Sequence, residues 1–198
     1  MPVRMKGAED RQVQKTHNLL RGALVSLISE KPYDSIVVKE ILDRANVGRS
    51  TFYTHFRDKD DLLVSGIHEM LRPVQSTAQP AAGKRRDRIL WFSLPIFEYH
   101  YQHRHAGGDR IGPRGRAILH DHLRRVLANV IAGAVQKGIR DGRKPSRSIP
   151  ADLLYEYVAS AFVLVLNWWL DKGMPQSAAE INDVFHKLIA PTLAAVCE

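Results

Sequence analysis

The chain lacks the features that define several large protein classes. Its 198 residues include one cysteine, Cys197, which excludes an internal disulfide framework and a paired-cysteine metal site. The longest apolar stretch covers only residues 157–170, and a membrane helix needs about 20 apolar residues. Residues 1–18 contain no apolar run of the kind a signal peptide carries. These absences predict a soluble, cytoplasmic protein with no membrane partner.

Motifs for catalysis are absent as well. The sequence has no His-Glu-x-x-His pair, and the glycines at 107, 108 and 112 are not followed by the lysine of a phosphate-binding loop. Cys197 lies near the C-terminus, where activation as a nucleophile is not expected. We therefore expect no enzyme, no cofactor and no resident metal.

The net charge of +8 favours nucleic acid as a partner, but its distribution does not locate the binding face. Residues 1–72 carry 12 Lys and Arg against 10 Asp and Glu, whereas residues 73–148 carry 15 against 5. The basic excess of the middle segment reads most simply as solvated turns and helix faces. Charge alone would therefore misplace a DNA-binding surface.

Residues 36–59 have the pattern of a helix-turn-helix. In the first helix Ile41, Leu42 and Ala45 share one apolar face, and Asn46 suits the left-handed residue that ends a helix. In the second helix Phe52 and Phe56 lie four residues apart and face inward. The rest of that helix carries guanidinium, hydroxyl, phenol and imidazole groups, which bond base edges and phosphates. This pattern predicts a recognition helix; the alternative is a plain solvated surface helix.

The stretch from Leu20 to Leu63 resembles the tetracycline-repressor (TetR-type) family of transcriptional regulators. The resemblance rests on ALVSLISEKPYDSI, VVKEILDRANV and STFYTHFRDKDDLL in combination, and it covers roughly a third of the chain. It implies an all-α protein with a three-helix DNA-binding head on a larger helical-bundle body, a homodimer, and a repressor released from operator DNA by a small molecule. We divide the chain accordingly into a head with connector helix, residues 1–72, and an effector-binding and dimerisation body, residues 73–198.

The resemblance also assigns DNA contacts residue by residue. They fall on Val38, Lys39, Arg49, Ser50, Thr51, Tyr53, Thr54, His55 and Lys59. Physical chemistry separates their roles, because Arg49 can fork onto a guanine whereas Tyr53, His55 and Lys59 suit phosphates. The start of the fourth helix, Lys59 to Leu62, could also face a phosphate, or its aspartates merely stabilise that helix start. Val37, Asn46 and Gly48 depart from the family pattern, and each weakens a cap or turn slightly.

The body is predicted to be helical, with breaks at 106–115 and 140–150 and a kink at Pro95. The resemblance implies an effector cavity, for which we nominate Trp91, Phe97, Tyr99 and Tyr101, although aromatics at helical spacing are usually core. Segment 152–171 is apolar on nearly every side, and 178–196 adds a second apolar stripe. Two such helices can pair with their copies in a dimer, the alternative being a monomer with a thick core. The nominated interface residues are Leu154, Tyr157, Val158, Ala161, Val165, Trp168, Phe185, Leu188 and Ile189.

Two alternatives to a ligand-responsive repressor remain open on the sequence. His100, His103 and His105, with His120 and His122 nearby, could form a metal sensor, since two of them share a helical face. Exposed histidines beside a glycine-rich break explain the cluster more simply. A sequence-indifferent DNA-binding protein is the second alternative, although such a protein would carry a more basic head.

Overall fold

The structure is a computed structural model. It describes the backbone of residues 3–72, 74, 89–104, 111–140 and 149–197, and side chains within 11–72, 74, 89–104, 111–136 and 149–194. Within these ranges the chain is helical and contains no strand. Eight α-helices are described: α1 Val3–Glu30, α2 Val38–Ala45, α3 Arg49–His55, α4 Lys59–Met70, α5 Ser93–Gln102, α6 Gly112–Arg140, α7 Ala151–Asp171 and α8 Ala178–Cys197. A 3₁₀ helix, Tyr33–Ser35, lies between α1 and α2. The predicted all-α class is confirmed.

Two compact units are present. The first combines the described residues of Met1–His68 with those of Gly107–Leu119, and the second combines those of Glu69–Ala106 with those of His120–Glu198. The division differs from a single boundary after residue 72, because the first turns of α6 belong with the head. Helix α6 therefore contributes residues to both units.

The first unit is built around one apolar core. Helix α1 turns one apolar face inward, since Leu20 is fully buried and the apolar residues that follow it at helical spacing are nearly so. Helices α2, α3 and α4 complete the core, whose buried members are Leu20, Ala23, Leu24, Leu27, Ile28, Tyr33, Ile36, Ile41, Leu42, Ala45, Phe52, Phe56, Leu62 and Leu63.

Two local expectations about helix boundaries were wrong. Helix α5 begins at Ser93, so Pro95 occupies its first turn, where a missing N–H costs nothing and no kink is needed. Helix α6 begins at Gly112 inside the predicted break, because Pro113 suits the first turn of a helix.

The second unit has an aromatic core formed by α5, α7 and α8. Phe162 of α7 lies at its centre, with ring centroids 5.1 Å from Phe92, 5.0 Å from Phe97 and 5.3 Å from Phe185. Two buried polar side chains meet in this core: the Ser93 hydroxyl lies 2.6 Å from Asn182 Oδ1 and 2.8 Å from the Leu90 carbonyl oxygen. The aromatic packing fixes α5 against α7 and α8.

Helix α7 is the most apolar element of the described chain. By length and composition it is the one described helix that could cross a membrane, and 44% of its most apolar window is buried inside the protein. The core helix of a soluble protein has the same properties, so this observation alone decides nothing about a membrane.

Burial of His100 on α5 predicts a loss of stability in acid. Burial, with a smaller contribution from nearby His103, lowers the pKa of His100 from 6.5 to about 4. Between these values the unfolded chain binds a proton that the folded chain does not, so stability falls as pH decreases. We expect about 2 kcal/mol less stability at pH 5 than at pH 7 from this group.

Urea unfolding at the two pH values measures this loss. The His100→Gln variant should lose less stability on acidification than wild type, whereas His68→Gln, on an exposed part of α4, should lose as much. An identical pH dependence for wild type and His100→Gln would contradict the assignment.

Candidate nucleic-acid interface

Helix α3 is a two-turn helix with an inner apolar side and an outer polar side. Phe52 is fully buried and Phe56, immediately after the helix, is 5% exposed. Their ring centroids lie 5.8 Å apart. This pair anchors the helix and leaves the remaining side chains on its outer surface. The exposed ones are Arg49, Ser50, Thr51, Tyr53 and Thr54.

The turn before α3 follows the sequence expectation. Asn46 adopts the left-handed conformation, with φ 51° and ψ 48°, and its N–H bonds the last carbonyls of α2. Val47 is partly buried against the head core, and its N–H donates to the Leu42 carbonyl at 3.1 Å. Gly48 is extended, with φ −66° and ψ 148°, a conformation open to any residue. The turn therefore forms with Gly48, although the family commonly has serine at this position.

The start of α2 holds two of the three predicted DNA contacts outside the recognition helix, Val38 and Lys39. Val37, which precedes α2, has no side chain able to cap it, but its N–H donates to Glu40 Oε2 at 3.0 Å. Val38 is half-buried against the head core, so only its backbone N–H suits a phosphate. Lys39 is exposed.

Side chains on the outer face of α3 support one another. The Arg49 guanidinium lies 5.6 Å from the Tyr53 ring centroid, one turn along the helix. The Tyr53 ring packs edge-on against Phe52 at 5.2 Å. Thr54 Oγ1 donates to the Ser50 carbonyl at 3.0 Å, which leaves its lone pairs outward. Tyr53 thus presents its phenol from a ring held by its neighbours.

His55 differs from the other predicted contacts because its ring is half-buried. It packs edge-on against His17 of α1, with centroids 4.9 Å apart, and His17 also contacts Phe56 at 4.8 Å. Sequence reasoning did not single out His17. A signal was available, since His17 precedes Leu20 and Leu24 by three and seven residues and so shares the buried face of α1.

Lys59 has a structural task. Its ammonium group donates to the carbonyl oxygens of Tyr33 at 2.9 Å, Ile36 at 2.8 Å and Asp34 at 3.3 Å, and it lies 4.5 Å from the Tyr33 ring centroid. An ammonium has three protons, and three carbonyls accept them. This geometry corrects the picture of Lys59 as a cation directed at a phosphate.

The start of α4 is likewise satisfied from within the chain. Asp58 Oδ1 accepts the Asp61 N–H at 2.7 Å, and Asp61 pairs with Arg57 at 3.3 Å. Asp58 therefore caps α4 at the end where a phosphate would bind, and its charge opposes an anion there. Of the two interpretations of this segment, helix stabilisation fits the geometry.

Comparisons with known protein families identify the family to which this chain belongs. Residues 20–65 match the family described as "Bacterial regulatory proteins, tetR family", and residues 88–191 match the one described as "Transcriptional regulator C-terminal region", a TetR family model. The second match covers more than half of the chain. This chain belongs to the TetR family of transcriptional regulators.

Individual relatives support the same fold. The HTH-type transcriptional regulator YxbF of Bacillus subtilis is 36% identical over 59 residues, which is 29% of this chain and only 16% of that protein. A TetR regulator from Streptococcus agalactiae is 24% identical, with a TM-score of 0.53 over 93% of this chain and 98% of that one. FadR of Bacillus subtilis, solved with stearoyl-CoA, is 16% identical, with a TM-score of 0.55 over 86% and 96%.

The four residues nominated for the effector site of this TetR-family chain lie in different surroundings. Phe97 is fully buried in the aromatic core. Tyr99 stacks on His103 at 4.3 Å, and Tyr101 lies between Trp169, at 6.2 Å, and the guanidinium of Arg104, at 4.4 Å. Trp91 is partly exposed, but its indole N–H is buried and meets no acceptor within the described part of the chain.

The residues nominated for the dimer interface divide between two faces. Tyr157, Trp168 and Leu188 are 48%, 47% and 63% exposed. Ala161 is partly exposed. The others are buried inside the protomer and offer no side-chain surface to a partner, which corrects that part of the prediction: Leu154, Val158, Val165, Phe185 and Ile189. Two leucines of α7 that were not nominated are strongly exposed, Leu153 at 59% and Leu164 at 70%.

Two of the histidines considered for a metal site contact different partners. His103 Nδ1 lies 2.7 Å from the Tyr99 carbonyl oxygen, and His120 Nδ1 lies 3.1 Å from the Asn167 amide nitrogen. Among the described residues no three His, Cys, Asp or Glu side chains form a group that could hold a metal ion. His105 lies outside the described residues.

The Lys59 geometry predicts a stability effect that a phosphate contact would not produce. Lys59→Met leaves three backbone carbonyls without their charged donor, and we expect a loss of about 1–3 kcal/mol in the free energy of unfolding. Lys39→Met, with an exposed side chain on α2, should leave stability unchanged and weaken DNA binding. Urea unfolding without DNA compares the two. Wild-type stability in Lys59→Met would refute the structural role.

Proposed function

We propose that this chain is a homodimeric, cytoplasmic repressor that binds operator DNA through α3 and releases it when a small molecule binds the body. The observation that carries the proposal is the polar face of α3, displayed by a helix whose opposite side is anchored by Phe52 and Phe56. Phe52 is the one buried residue of α3, so most of the surface of this helix is left for a partner. Its exposed groups are those that read base edges and hold phosphates.

Within this face we assign sequence reading to Arg49 and positioning to its neighbours. Arg49 is exposed, and the Tyr53 ring 5.6 Å from its guanidinium restricts the directions that group can take. A forked contact to guanine needs such a planar, preoriented group. Tyr53, His55 and the α2 start at Val38 and Lys39 are proposed to hold phosphates, with Ser50, Thr51 and Thr54 completing the contacts.

Dimerisation is proposed through the exposed apolar stripe of α7 and α8. Leu153, Tyr157, Leu164 and Trp168 follow one another at intervals of four, seven and four residues, so they share one face of α7. Val184 and Leu188 are exposed on α8, which contacts α7. An apolar face of this length is unusual on a monomer. A two-fold dimer would give two heads the geometry to read half-sites about one helical turn apart, or a multiple of it.

The effector is proposed to be a largely apolar molecule with a hydrogen-bond acceptor. The body interior is aromatic, and its buried polar groups among the described residues are neutral ones such as Ser93 and Asn182. The buried indole N–H of Trp91 has no acceptor among the described residues and is the proposed donor to the ligand. Repression follows if the effector binds better to the dimer state that does not fit the operator.

Substitution of Arg49 tests the DNA-binding part of the proposal. Arg49→Ala should lose about 1–3 kcal/mol of preference for the operator over random DNA, because one forked base contact is removed. Arg125→Ala, which removes an equal and exposed charge from α6, should retain the preference. The measurement is competition binding at fixed salt against fragments of the source genome. Equal affinity of wild type for all fragments would favour a sequence-indifferent DNA-binding protein instead.

The dimer face is tested by placing a charge in the middle of the stripe. Leu164→Glu should convert the dimer to a monomer at micromolar concentration, because a buried carboxylate at the interface has no partner. Leu19→Glu replaces a leucine that is 46% exposed on α1, and it should remain dimeric. Light scattering after size-exclusion chromatography gives the masses. A monomeric wild type, or a dimeric Leu164→Glu, would reject this interface.

A further inference from the structure

The recognition helix ends at a histidine whose ring is contacted from another helix. His55 is the last residue of α3, and Phe56 after it is already extended, with φ −137° and ψ 138°. The final turn of a helix frays easily, so a side chain there needs support from elsewhere to keep one position. The His55 ring centroid lies 6.4 Å from that of Phe56 but only 4.9 Å from that of His17 in α1. Of these two rings, His17 is the closer support.

His17 can hold another ring because its own position is fixed. It precedes the buried Leu20 and Leu24 by three and seven residues, so it lies on the face of α1 that enters the head core. Its ring is half-buried and its centroid lies 4.8 Å from that of Phe56, which is 5% exposed. The His17 ring therefore contacts both a buried phenylalanine and the half-buried His55.

The two imidazole rings meet edge-on, with an angle of 82° between their planes. Edge-to-face contacts are favoured between aromatic rings because the positive edge of one ring meets the negative face of the other. Such a contact restricts the rotation of the His55 ring about its Cα–Cβ bond. His55 nevertheless remains partly exposed. An imidazole that is fixed and still accessible can donate a hydrogen bond in one set direction.

This restriction matters for the affinity of a phosphate contact. A side chain that is mobile in the free protein loses rotational freedom on binding, and the loss lowers affinity. Tyr53 has restraints within its own helix, because its ring packs against Phe52 and lies beneath the Arg49 guanidinium. For His55 the closer restraint comes from α1.

We propose that His17 is a positioning residue for DNA binding, whose ring holds the His55 imidazole in the orientation that donates to a phosphate. His17 acts through His55 and makes no contact with DNA itself. The inference rests on the proposed DNA-binding function, and it adds a residue of α1 to the surface formed by α2 and α3. The whole arrangement lies within the first unit.

The first test measures the His55 side chain in the free protein by nuclear magnetic resonance. Three-bond couplings across its Cα–Cβ bond should report one rotamer in wild type and averaging among rotamers in His17→Ala. His17→Phe keeps an aromatic ring at this position and should retain the single rotamer. Val25→Ala, which shortens a side chain that is 54% exposed on α1, should match wild type. A single rotamer in His17→Ala would overturn the positioning role.

The second test is a double-mutant cycle in operator affinity. His55→Ala should weaken binding about tenfold per head, because a hydrogen bond to a charged phosphate is lost. His17→Ala should weaken binding roughly two- to tenfold per head, which is the cost of ordering one mobile side chain. In the His55→Ala background the same substitution should have no further effect, because no ring is left to position. His17→Phe should bind like wild type.

The cycle separates positioning from a merely structural contact. If His17 only stabilised the head, His17→Ala would weaken binding by the same factor with and without His55, so additive effects of the two substitutions would contradict the proposal. Urea unfolding without DNA establishes that each variant is folded under the assay conditions. If His17→Ala is unfolded there, the same cycle with His17→Leu decides, since leucine fills the buried space without an aromatic edge.

The two proposals fail in different ways. If wild type prefers no DNA fragment, the proposed function is wrong, and the couplings in the free protein still decide whether His17 holds the His55 ring. If wild type selects an operator and the two substitutions are additive, the function stands and the positioning role is wrong.

Discussion

The display of α3 depends on the burial of two phenylalanines. A helix of two turns is not stable by itself in water, because its nucleation cost exceeds what so few hydrogen bonds return. Phe52 and Phe56 supply the missing free energy by packing into the head core, and they also fix which side of the helix faces outward. The exposed side is then free to carry polar groups that contribute nothing to stability. Because this one contact stabilises the helix, its exposed side chains are available for DNA recognition.

Polar side chains whose positions in the sequence suggest DNA binding stabilise other parts of the head. Lys59 binds three carbonyls of the 3₁₀ helix and the residues around it, and Asp58 caps α4. Residues 58–61 are a lysine and three aspartates, and they divide between two tasks. Lys59 and Asp60 bind the segment that leads into α2, and because those partners lie some 25 residues away, charge and spacing alone give no sign of this task. Asp58 and Asp61 bond partners three and four residues away, which is a local pattern that the sequence does suggest.

How far the sequence predicts the structure depends on whether the deciding contact is local. The Phe52–Phe56 spacing and the left-handed Asn46 are local features, and both the recognition helix and its turn follow from them. The exposed apolar face of α7 was only half predicted, because a helix that is apolar on nearly every side gives no periodicity to distinguish inside from outside. The start of α6 was missed for a related reason: Gly115 looks like a helix breaker until Tyr33 is seen against it.

Tyr33 brings together the first turns of α6, the 3₁₀ helix and the start of α4, and its contacts differ in strength. The buried ring packs against Gly115, where no Cβ intervenes, and its hydroxyl donates to Asp60. The ion pairs beside it are partly solvent-exposed, the Arg114 side chain being 60% exposed. Because exposed pairs contribute little free energy, the arrangement of these elements depends on the buried ring and the space that Gly115 leaves for it more than on the charges.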